Sequence, residues 1–81
     1  MKVKLLFFAS SRNIIGEKEL NWDISKDCTV GDIKKELRLQ YPTFIKTEKT
    51  LSIAVNAEYV EESTVLFDGD EVAFIPPVSG G

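Results

Sequence analysis

One stretch of this chain carries a sustained helical period, and it is closed at both ends. Val30, Ile33, Leu37 and Tyr41 recur at spacings of three and four residues and mark a single apolar stripe. Thr29-Val30-Gly31-Asp32 reads as a capping box in which Asp32 replaces the usual glutamate or glutamine. Pro42 closes the helix, because the residue before a proline is pushed out of the helical region. Lys34, Lys35, Glu36 and Arg38 fall mostly on the outward side. A lone helix of about three turns cannot bury its stripe on itself and must lie across a sheet. The flanking sequence supplies one: runs of period two occur on both sides of the helix.

In the first run Val3, Leu5 and Phe7 share one face, and Lys4, Leu6 and Phe8 the other. The first set belongs in the core. The second is unusual, because a strand with one solvated face should not end in phenylalanine on that face. Ser10 to Asn13 reads as a loop, and from Glu17 to Ile24 alternation returns with Leu20, Trp22 and Ile24 inward, giving an antiparallel hairpin. Residues 43–50 read as a loop with a short helical turn. Leu51, Ile53 and Val55 form a third strand ending at Asn56, which tolerates a left-handed turn, and Tyr59-Val60 a brief fourth. Asp68-Gly69-Asp70 is a tight turn into the last strand, Glu71 to Ile75, with Val72 and Phe74 inward and Ala73 and Ile75 outward. Side by side, the first and last strands form the parallel centre of a mixed sheet of about five strands. The fold class is α+β: one domain over 1–75, followed by a tail, 76–81.

Chemistry that the chain lacks narrows its function. It has no histidine, the commonest general base and metal ligand, and its one cysteine, Cys28, can build neither an internal disulfide nor a zinc site. That cysteine usage points to a reducing, cytoplasmic setting. Gly16, Gly31 and Gly69 are isolated turn or helix-entry residues, not a phosphate loop. Glu61-Glu62 and Asp68 with Asp70 read as solvated loop and turn groups rather than a catalytic pair. Cys28 lies just before a helix N-terminus, which favours a thiolate, but neighbouring Asp27 opposes it and the thiol reads as inert. The net charge of −3 disfavours nucleic acid as a partner, and no apolar run reaches the roughly 18 residues of a membrane span. The chain does not read as an enzyme on its own.

What remains to carry function is the end of the sequence and the surface beside it. The last residues are Pro76, Pro77, Val78, Ser79, Gly80 and Gly81. Glycine has no Cβ, so such a segment can thread a narrow slot and carry its terminal carboxylate into another protein's active site. Six residues span roughly 20 Å when extended. The two prolines stiffen the start and lower the entropy lost on insertion. Phe8, Ile75 and Tyr59 are expected to converge on the helix-free face as a protein-binding patch beside this segment.

The stretches Val3-Lys4-Leu5-Leu6-Phe7-Phe8-Ala9, Ala54-Val55-Asn56, and Asp68-Gly69-Asp70-Glu71-Val72-Ala73-Phe74 running into Pro76-Pro77-Val78-Ser79-Gly80-Gly81 closely resemble the small, sulfur-carrier subunits of molybdopterin synthases. The resemblance covers the whole chain and implies the ubiquitin-like β-grasp fold. It implies that a ubiquitin-activating-like adenylyltransferase uses ATP to adenylate Gly81, and that a sulfur donor then displaces AMP to leave a thiocarboxylate. No cofactor is held permanently; the only nucleotide is the one joined to Gly81 during activation. The resemblance further implies docking on the synthase large subunit, in a heterotetramer of two small and two large subunits, and sulfur transfer to cyclic pyranopterin monophosphate to build the dithiolene. Phe8, Tyr59 and Ile75 fall where the family's docking surface lies, although the family often has phenylalanine where this chain has Ile75. Cys28 matches no family function. Three other readings stand beside this one: a sulfur carrier for thiamine synthesis or tRNA thiolation, a ubiquitin-like protein modifier joined through Gly81 to target lysines, and a passive interaction domain.

Overall fold

The computed structural model describes residues 1–77. Its elements are β1 (Lys2–Phe7), α1 (Ala9–Ile15), β2 (Glu19–Asp23), α2 (Val30–Gln40), a 3-10 turn (Pro42–Phe44), α3 (Ile45–Glu48), β3 (Ser52–Val55), β4 (Glu58–Tyr59) and β5 (Glu71–Ile75). The strands form one sheet in the order β2-β1-β5-β3-β4. β1 and β5 run parallel at its centre, with Leu5 opposite Val72 and Phe7 opposite Phe74, and every other pairing is antiparallel. This is the mixed sheet and main helix of the ubiquitin-like β-grasp.

Strand parity sets the core. Val3, Leu5, Phe7, Val72, Phe74 and Ile53 are buried on the helix side together with Val30, Ile33 and Leu37 of α2. Phe74 is the hub: its ring stacks on Phe7 at 5.2 Å and meets Phe44 edge-on at 5.9 Å. Burying each such ring stabilises the fold by about 1.5–3 kcal/mol. The capping box forms as expected, with the Asp32 N–H donating to Thr29 Oγ1 at 3.2 Å and the Thr29 N–H to Asp32 Oδ2 at 3.0 Å. The turn before β5 places Gly69 at φ 88°, a conformation that suits glycine.

Two expectations are corrected. Ser10 to Asn13 belongs to the helix α1 rather than a loop. Seven residues are too few for a period to show in the sequence, and this helix is held instead by its ends: the Phe8 N–H donates to Ser11 Oγ at 3.0 Å, and the Gly16 N–H donates to the Arg12 carbonyl at 2.8 Å. Lys34 does not face outward; it is 8% exposed, because its ammonium is drawn between Glu62 at 2.6 Å and Glu48 at 3.6 Å. In the polar stretch 43–50, Phe44 is fully buried, inserted by the 3-10 turn that Pro42 begins. Pro76 and Pro77 follow β5 outside regular structure, whereas Val78, Ser79, Gly80 and Gly81, the rest of the expected tail, lie outside the described residues.

Candidate docking groove

The face of the sheet away from α2 is built by the opposite parity. One row of neighbours crosses it: Leu6 opposite Ala73, Ala73 opposite Ala54, and Ala54 opposite Tyr59. The two alanines are small, so the middle of the row is a floor and the larger side chains at its edges are walls. Phe8, one residue beyond Phe7, and Ile75, one beyond Phe74, close the end where β5 finishes. The result is a groove of about 340 Å³ lined by Leu6, Phe8, Ala54, Ala57, Tyr59, Glu71, Ala73 and Ile75. Phe8 is 48% exposed and Tyr59 73% exposed, so much of this apolar wall area is open to solvent. The three residues singled out in the sequence, Phe8, Tyr59 and Ile75, are thus brought together. The alanine floor was missed; its signal is that Ala54 and Ala73 have the parity of Leu6 and Tyr59.

Ser11 fixes the Phe8 wall. Its hydroxyl accepts from the Phe8 N–H and lies 2.8 Å from the Phe8 carbonyl and 3.2 Å from the Phe74 carbonyl, both acceptors for its proton. A single buried side chain therefore joins the chain reversal after β1 to the end of β5. The Tyr59 wall is fixed from the other side. Asn56 and Ala57 take left-handed φ values of 51° and 71° to turn β3 into β4. The Asn56 side chain donates to Asp70 Oδ1 at 2.9 Å and accepts from the Glu71 N–H at 3.0 Å, while Asp70 Oδ2 accepts from the Phe67 N–H at 2.8 Å. The Asn56 and Asp-Gly-Asp-Glu signatures, distant in sequence, are two halves of one clip.

Elsewhere the chemistry is sparse. Burial, and secondarily the carboxylate of Asp32, raises the Cys28 thiol above its ordinary range. The opposing charge comes from Asp32 rather than the adjacent Asp27 that the sequence suggested. Among the described residues no group of three histidine, cysteine, aspartate or glutamate side chains is placed to hold a metal ion. No helix among them is long and apolar enough to cross a membrane.

The model of the ThiS family matches residues 5–81. The chain belongs to the ThiS family. Its relatives in that setting include proteins named molybdopterin synthase sulfur carrier subunit from Chlamydomonas reinhardtii, 37% identical with both chains covered completely. The protein of that name from Mycobacterium tuberculosis is also 37% identical, over 100% of this chain and 99% of the relative. Among solved structures, small archaeal modifier protein 1 from Methanosarcina acetivorans superimposes with a TM-score of 0.81 at 28% identity, over 99% of this chain and 96% of that one. Segments 3–9, 54–56 and 68–74, where the sequence resembles the family, contribute to the groove and its clip.

Proposed function

We propose that this ThiS-family chain is the sulfur-carrier subunit of a molybdopterin synthase. The observation that carries the reading is the position of the groove: its Phe8 and Ile75 walls stand at the end of β5, where Pro76 and Pro77 leave the sheet. A partner seated in the groove receives the segment 76–81 directly. End-to-end similarity to relatives that bear the carrier's name supports the same reading.

In this proposal the chemistry belongs to Gly81, and the fold delivers it. A carboxylate is a poor electrophile. An adenylyltransferase overcomes this by letting the Gly81 carboxylate attack the α-phosphate of ATP, with pyrophosphate leaving. A sulfide-equivalent nucleophile then attacks the acyl carbon and expels AMP, leaving a thiocarboxylate. The charged carrier docks on the synthase large subunit through Phe8, Tyr59 and Ile75, and Pro76, Pro77, Val78, Ser79 and Gly80 lead the sulfur into that subunit's active site. There it passes to cyclic pyranopterin monophosphate, and two transfers complete the dithiolene. The chain binds no resident cofactor, and its catalysis is borrowed from its partners in a heterotetramer of two small and two large subunits.

High-resolution mass spectrometry of the C-terminal fragment, after incubation with ATP, adenylyltransferase and sulfur donor, tests the reading. A thiocarboxylate localised to Gly81 is the expected result, and an unmodified terminus with active enzymes overturns it. A second reading, a protein modifier, is favoured by the likeness to small archaeal modifier protein 1. It shares the activation step and predicts a ladder of lysine conjugates instead of sulfur delivery.

A further inference from the structure

The docking groove uses β1, β5 and the β3–β4 turn, and leaves the opposite edge of the sheet untouched. That edge is β2, which among the described residues pairs only with β1. The Phe7 N–H donates to the Lys18 carbonyl and the Ile24 N–H to the Met1 carbonyl. With the register Leu5 opposite Leu20 and Val3 opposite Trp22, antiparallel alternation assigns the inward ladder bonds to Lys18, Leu20, Trp22 and Ile24. Glu19, Asn21 and Asp23 therefore point their backbone N–H and C=O groups away from the sheet, with no partner among the described residues.

An open edge alone is common, but here it borders a groove. A space of about 620 Å³ separates β2 from the first half of α2. Half-buried Trp22 supplies an apolar contact there, and the carboxylates of Asp27, Asp32 and Glu36 outnumber the ammonium groups of Lys26 and Lys35, while the Asp23 carboxylate turns to Lys2 on the other face. Such a surface suits a strand that brings its own backbone donors and acceptors and alternates apolar with basic side chains. A second copy of this chain suits it poorly. The β2 strand of a second copy carries no basic side chain, and antiparallel pairing about Asn21 sets Glu19 opposite the copy's Asp23 twice, with only the exposed ion pairs to Lys4 at 3.7 Å and Lys2 at 4.0 Å to offset the like charges.

We propose that the β2 edge is a second interaction surface, which takes an extended, basic segment of a partner protein as a sixth strand. Backbone bonds to Glu19, Asn21 and Asp23 supply the register. Every second side chain of the added strand faces Trp22 and the acidic wall of α2. The partner at this edge leaves Phe8, Tyr59 and Ile75 free, so the two surfaces can be occupied together.

The probe is a capped peptide of alternating lysine and valine, titrated into the full chain. Trp22 is the only tryptophan and reports directly on the groove. The expected result is a saturable change in its fluorescence, with amide exchange at Asn21 slowed roughly tenfold or more at saturation. Asn21→Pro removes that N–H without breaking a ladder bond to β1, and should abolish binding while circular dichroism stays unchanged. If that variant misfolds, an N-methylated probe makes the same deletion on the peptide and should fail to bind. The proposal is overturned by exchange at Asn21 that does not slow, by equal binding of the N-methylated peptide, or by equal binding of a glutamate–valine peptide. A concentration-dependent dimer that Asn21→Pro dissolves would also overturn it, in favour of self-pairing.

Discussion

The hydroxyl of Ser11 lies 3.2 Å from the carbonyl oxygen of Phe74, a bond across 63 residues of sequence. Ser11 is wholly buried, and the same oxygen is bonded to both backbone groups of Phe8. It thus sets the Phe8 wall against the end of β5. Ser11→Ala takes this partner from the Phe8 N–H and the Phe74 carbonyl, while the Phe8 carbonyl keeps the Ser11 N–H at 3.1 Å, and unsatisfied buried groups cost about 1–3 kcal/mol. Urea denaturation should show a loss in that range. The Phe8 and Ile75 resonances should shift together, because one anchor serves both. A change confined to the Phe8 side would show that the Phe74 bond contributes nothing.

The groove walls predict the opposite balance. Tyr59 is largely exposed and Phe8 about half exposed, so truncating either removes surface packing rather than core packing. Phe8→Ala and Tyr59→Ala should each weaken docking to the large subunit by more than about 1 kcal/mol, as hot-spot truncations do, while changing stability by less than about 0.5 kcal/mol. Calorimetry of the complex beside thermal melts of the free chain separates the two effects. Undiminished affinity in both variants would remove the groove from the docking reaction.

Much of this arrangement is legible in the sequence. The stripe Val30, Ile33, Leu37 and the parity of Val3, Leu5, Phe7, Val72 and Phe74 fixed the core, because periodicity reports directly on which face is buried. The same parity placed Phe8 and Ile75 together. What escaped were features with no period. α1 is short enough that its caps outweigh its pattern. Phe44 is delivered to the core by a 3-10 turn, and Lys34 is turned inward by acids 14 and 28 residues away in sequence. The clip between Asn56 and Asp70 was visible only as a motif; its bonding requires the fold to bring β3 and β5 together.

Cys28 provides a chemical test of the surface near α2. Its thiol is raised by burial first and by Asp32 second, so the thiolate is scarcer at pH 8 than in a free cysteine. Reaction with a disulfide reagent should be slower than for a free thiol at that pH. Asp32→Asn should speed it only partly, since burial remains. A rate equal to that of free cysteine would show that the site opens faster than it reacts.

The network around Lys34 makes the sharpest stability prediction. Its ammonium sits between Glu62 and Glu48, and Arg38 also reaches Glu48 at 2.6 Å. Removing one member of a buried pair costs roughly 3–5 kcal/mol when the other is stranded. Arg38 still neutralises Glu48, so Lys34→Ala should cost less than that. Lys34→Met keeps the packing of the aliphatic stem and should be more stable than Lys34→Ala by on the order of 1 kcal/mol. The pH dependence follows from Glu62, whose carboxyl is held below its ordinary value of 4.5 chiefly by the hydrogen bond from Lys34 and next by its charge. A depressed folded value means that the unfolded chain takes up its proton first as pH falls. The contribution is therefore complete above pH 4.5 and disappears as pH drops through the lower folded value. Both Lys34 variants, and Glu62→Gln, should show a shallower loss of stability below pH 4.5 than the parent. Parallel pH profiles for all four proteins would mean that the Lys34–Glu62 contact adds no stability of its own.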